Sequence, residues 1–172
     1  MSGRALIRTA VFIGVTLLFQ TTVVLEIRIG GMAPDVMLLL PIAAGLVAGP
    51  VEGAVVGFVA GIAADLLLPA PFGLSALVGS LIGFGVGAAT ASLPRDIPGL
   101  SVLVALAASG IAVMLYAVLG ALLGESQFIH AGLAVMIPVV AVTNAVLAVP
   151  AVRLTRWALM ASGDRAPTGS QR

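Results

Sequence analysis

The sequence predicts an all-α integral membrane protein, and three observations carry that reading. The chain has 172 residues, of which 60% are hydrophobic and only 9% charged, and its mean hydropathy is +1.22. A water-soluble domain carries about a quarter charged residues, so this chain lacks the polar surface to cover itself in water. The apolar residues fall into six separable runs divided by Gly/Pro turn chemistry. Seven of the eight arginines fall on one side when successive runs cross a membrane in alternate directions. Lipid leaves two spanning architectures, helices and closed barrels, and the alternating pattern of a barrel is missing, so helices follow.

Taken in order, the runs are Ala5–Leu25, Asp35–Ala48, Val51–Leu68, Leu74–Ser92, Leu100–Leu123 and Ala131–Leu154. The first begins with Arg4 and Arg8 before an apolar stretch, which superficially suits a secretory leader. The stretch is too long for one and no small-x-small cleavage site follows cleanly, so it is expected to stay as an anchor. The second run is short and contains Pro41. The breaks are Gly30-Gly31 with Pro34, Gly49-Pro50, Pro69-Ala70-Pro71, Pro94 with Pro98-Gly99, and Gly124.

Placing the N-terminus in the cytoplasm puts Arg4, Arg8, Arg95, Arg153, Arg156, Arg165 and Arg172 inside and leaves only Arg28 outside. Five spans would export the arginine-bearing C-terminus. A re-entrant second and third segment would export Arg95. Six transmembrane helices with both termini cytoplasmic are therefore expected, as one domain over residues 1–161 with a disordered cytoplasmic tail at 162–172. Trp157, beside Arg153 and Arg156, suits an anchor at the inner interface.

Several function classes have no support in the composition. Net charge is +1, giving no nucleic-acid footprint. There is no cysteine and a single histidine, His130, so no thiol chemistry, disulfide or metal site is expected. No cofactor, metal or catalytic residue is assigned. The Gly-rich string Gly83–Gly87 lies inside an apolar helix with no strand before it, so it is not a phosphate loop.

Two features remain to be explained. Gly53, Gly57, Gly61 and Asp65 recur every fourth residue, as do Gly79, Gly83, Gly87 and Ala91. Each step turns a helix by about 400°, so both series form grooves where another backbone can come close. Packing within the molecule and docking of a partner helix are both open. Asp65 lies at the outer C-terminal end of its helix, where the dipole disfavours an anion, so it needs a partner. Asp35, after Pro34, opens the second helix at the same outer level, and Arg28 lies just before it. Arg28, Asp35 and Asp65 are expected to form an outward-facing polar cluster. Gln20, Tyr116 and Asn144 are expected to make interhelical hydrogen bonds.

These residues resemble the rod shape-determining protein MreD family. The likeness rests on "APDVMLLL" at 33–40 and "GPVEGAVVGFVAGIAADLLLPAPFGLSAL" at 49–77. Pro34, Asp35, Gly49, Pro50, Glu52, Gly53, Gly57, Phe58, Gly61, Asp65, Phe72, Gly73 and Leu74 match the family's pattern. The first, fifth and sixth helices match in character only. The resemblance implies a non-enzymatic subunit of the bacterial elongation machinery in the cytoplasmic membrane. Its implied partner is MreC, a single-span protein, with MreB, RodA and a class B penicillin-binding protein acting alongside. It also implies a fold similar to the substrate-capture subunits of energy-coupling-factor transporters, which supplies an alternative function, vitamin capture. Arg28, Pro34, Asp35, Asp65, Phe72 and Gly73 are the expected outer partner-binding or structural cluster. Gly53, Gly57, Gly61, Gly79, Gly83 and Gly87 are the expected helix-packing residues.

Overall fold

The computed structural model describes residues 11, 13–18, 20, 22, 35–67, 71–94, 99–124 and 133–160. Arg28, Pro34, His130 and the 162–172 tail lie outside them. The described residues are helices and turns, with no strand among them. Helix α1 is represented by residues within 11–22. It is followed by α2 (Leu39–Ala48), α3 (Pro50–Leu67), α4 (Leu74–Thr90), α5 (Leu100–Leu122) and α6 (Leu133–Met160). Among the described residues, α3, α5 and α6 are long and apolar enough to cross a membrane, whereas α2 and α4 are shorter.

The second helix is the main departure from the expected spans. The Asp35–Ala48 run begins with a tight turn in which the N–H groups of Leu39 and Leu40 donate to the carbonyls of Val36 and Met37 at 3.0 and 3.2 Å. Only ten residues are α-helical, a rise of about 15 Å against a hydrocarbon core of about 30 Å. This short helix is the hub of the bundle, touching α3, α4, α5 and α6. Leu39, Leu40, Pro41, Ile42, Ala43, Ala44 and Gly45 are all buried, so the helix is apolar all round and enclosed over most of its length. Gly49 ends it at φ +102°, a conformation that costs glycine little. Pro50 then opens α3 at once, in the first helical position where its missing N–H is no loss.

α3 and α4 form an antiparallel pair with glycine on both sides of the contact. A Cβ added to Gly79 would lie 2.7 Å from the Gly57 carbonyl oxygen, and one added to Gly45 would lie 2.6 Å from the Gly83 carbonyl oxygen. Gly53 faces Gly83, Gly61 faces Ala76, and Gly87 faces the Gly49–Pro50 link. The two ladders therefore use each other and α2, rather than separate partners. Apolar burial gives little drive in lipid, so close backbone packing is the available source of helix association.

α6 runs past the expected limit of Leu154 to Met160 and contains Pro138 and Pro150. The extension has a physical basis. Arg153 and Arg156 point away from the bundle while Thr155 and Ala158 are buried against it, so the arginines do not end the helix.

Candidate functional site at the Asp35–Asp65 end of the bundle

The polar groups converge at the end of the bundle where α2 and α4 begin and α3 finishes, called here the upper end. Asp65 is only 6% exposed. Its Oδ2 accepts a hydrogen bond from the N–H of Gly73 at 2.8 Å, and its Oδ1 accepts one from the N–H of Ser75 at 3.3 Å. Gly73 sits at φ +93°, which turns the chain so that these donors face back onto α3. The leading N–H groups of a helix have no partner within it. Asp65 supplies one across the turn, eight to ten residues back in the chain. The same geometry removes the dipole problem. The carboxylate ends α3, where an anion is disfavoured, but it rests on the start of α4, where an anion is favoured.

Asp35 holds the turn that leads into the second helix. Its Oδ1 accepts from the N–H of Met37 at 3.0 Å, two residues on, the pattern of an Asx turn. The next residue is held from α1, because the N–H of Val36 donates to Gln20 Oε1 at 2.9 Å in a buried bond. Tyr116 of α5 shares a side-chain hydrogen bond with Ser75, and the carboxylates of Asp65 and Asp35 are its charged neighbours. Five segments of the chain thus meet in one polar knot. Phe72, in the turn that the knot holds, is 68% exposed.

Of the expected cluster, the structure brings Asp35, Asp65 and Gly73 to one end of the bundle, with Phe72 on its surface. Arg28 and Pro34 are outside the described residues. Ser75 was not singled out from the sequence, although "FGLS" marks a helix start. Both Asp65 oxygens accept from main chain, which no side-chain pattern displays. A second polar contact lies between α5 and α6, where Asn144 Nδ2 donates to Ser109 Oγ at 2.9 Å with both side chains fully buried. Gln20, Tyr116 and Asn144 thus all bond between segments, as expected. Among the described residues no three His, Asp or Glu side chains converge as a metal site would require.

The fold and site define a helical membrane protein whose carboxylates hold the turns at helix ends. The chain belongs to the MreD family: the model of the rod shape-determining protein MreD matches residues 3–157. No curated protein and no solved structure matches the chain. The family match favours a role in rod shape over the vitamin-capture alternative.

Proposed function

We propose that this chain is a non-enzymatic scaffold of the machinery that builds the lateral cell wall of rod-shaped bacteria. In this reading it spans the cytoplasmic membrane six times, keeps both termini in the cytoplasm, and receives an MreC-like single-span partner at its upper, extracytoplasmic end. RodA, MreB and a class B penicillin-binding protein act around that pair. The observation that carries the reading is the family match over residues 3–157. The geometry supports a division of labour within the expected cluster. Asp65 has both oxygens engaged by main chain, so it builds the turn, and exposed Phe72 is the surface a partner meets. Gly53, Gly57, Gly61, Gly79, Gly83 and Gly87 face inward, leaving the partner to use another surface.

The experiment is co-purification in detergent with an MreC-like protein, alongside a thermal melt of each variant alone. Phe72→Ala should lose the partner with an unchanged melt, and Asp65→Ala should lower both. Full retention of the partner by Phe72→Ala would remove the proposed contact.

A further inference from the structure

We propose that the last third of α6 carries a binding site for an anionic glycerophospholipid, built from Arg153, Arg156 and Trp157. The helix has 28 residues, a rise of about 42 Å, whereas about twenty residues cross a hydrocarbon core of about 30 Å. Counting about twenty positions from Leu133 reaches Arg153. The remainder of α6 therefore lies at headgroup depth when its start is at the opposite boundary.

The outward face of α6 changes character at that point. At about 100° per residue, Val142, Val146, Val149 and Pro150 share one face with Arg153, Arg156 and Trp157, and all seven are exposed. The facing side of the last turns is closed against the bundle, with Thr155 and Ala158 buried. The face is thus apolar for two turns and then cationic and aromatic. Within the cationic part, Arg153 lies between Arg156 and Trp157 around the helix axis. No carboxylate among the described residues pairs with either arginine.

Each element matches a part of a phospholipid. The valine strip accommodates an acyl chain. The two guanidinium groups offer planar donor forks that fit phosphate oxygens. An indole at the boundary suits the glycerol and carbonyl layer. A net-negative headgroup leaves this charge uncancelled, whereas a choline headgroup neutralises its own phosphate. A surface guanidinium contributes about fivefold to binding at an anionic membrane, so the pair contributes up to about thirty-fold.

Trp157 is the only tryptophan in the chain, and its fluorescence reports on the site. The full chain would be reconstituted in vesicles containing brominated phosphatidylglycerol or brominated phosphatidylcholine, and quenching compared. The glycerol lipid should quench preferentially, severalfold to about thirty-fold by relative affinity. That preference should fall about fivefold in Arg153→Gln or Arg156→Gln and vanish in the double variant. Arg153→Lys/Arg156→Lys should keep part of it, since the charge remains and the fork is lost. If the double variant does not insert, the two single variants decide. Equal quenching by both lipids in the unaltered protein would overturn the proposal, as would a preference that survives both glutamines. Abolition by millimolar inorganic phosphate would also overturn it, by reassigning the site to a free anion.

Discussion

Gly57 and Gly79 stand back to back across the α3–α4 contact, so close that a Cβ on Gly79 would come within 2.7 Å of the Gly57 carbonyl oxygen. The obstacle is main chain, which cannot swing aside as a side chain can. The seam thus runs on backbone contacts, and glycine is required by the partner helix rather than by the helix it belongs to.

Two neighbouring glycines of α4 test this directly. A Cβ on Gly83 would meet the backbone of Gly53, while one on Gly85 has nothing within 4 Å. Gly83→Ala should destabilise by about 1–3 kcal/mol, as overpacking does. Gly85→Ala should stabilise by about 0.4–1 kcal/mol, since it removes unfolded-state freedom at a position whose backbone is already helical. Opposite shifts of the two melts in detergent are the expected result. Equal shifts would mean that the seam loosens freely.

Removing the carboxylate of Asp65 strands the N–H groups of Gly73 and Ser75 at the start of α4. An unsatisfied buried donor costs about 1–3 kcal/mol. Asp65→Ala should therefore destabilise by roughly 2–4 kcal/mol, while Asp65→Asn, which keeps one acceptor oxygen, should lose about half of that. Hydrogen exchange at the start of α4 is the sensitive measurement, because protection there should fall before the rest of the bundle opens.

Much of this architecture was legible in the sequence, for reasons that also explain what was not. Apolar runs and Gly/Pro breaks locate helices because lipid permits little else, and α3, α4 and α5 begin and end within two residues of expectation. Spacing by four identified Gly53, Gly57 and Gly61 as one face, but spacing describes a single helix and is silent on what that face meets. The upper cluster was expected to pair through Arg28, which lies outside the described residues. A search among charged side chains overlooks the main-chain donors that the Gly73 turn presents to Asp65. The shortness of α2 followed from its central position, since a helix that touches four others is set by their packing more than by bilayer thickness. The apolar run closes at Leu154, yet α6 continues to Met160, because long basic side chains on an outward face do not interrupt a helix.

Ser109 and Asn144 provide a test of buried polar contacts. Asn144 donates to Ser109, but its own Oδ1 has no partner. A half-satisfied pair contributes little, and measured couplings in membrane helices average about 0.6 kcal/mol. Ser109→Ala alone should destabilise, because it leaves a second polar atom of Asn144 unmatched. Adding Asn144→Leu should recover most of that loss, since replacing both partners by apolar groups is nearly neutral. A double-mutant cycle with coupling well above about 1.7 kcal/mol would show that the pair is more than a local contact.

Asp35 separates turn geometry from charge. Its carboxylate receives the N–H of Met37, a turn-holding role that the asparagine oxygen also fills, whereas alanine leaves that donor unmatched at a cost of about 1 kcal/mol. Asp35→Asn should therefore melt close to the unaltered protein and Asp35→Ala measurably below it. Partner retention then discriminates. If Asp35→Asn keeps the MreC-like protein on the column, the residue acts only through the geometry of the second helix. If Asp35→Asn loses the partner while the melt is unchanged, the negative charge at the upper end is itself recognised. The buried bond from Val36 N–H to Gln20 provides the control. Gln20→Leu should loosen α1 from this turn and lower the melt without removing any charge, so loss of the partner in that variant alone would implicate the position of α1 instead.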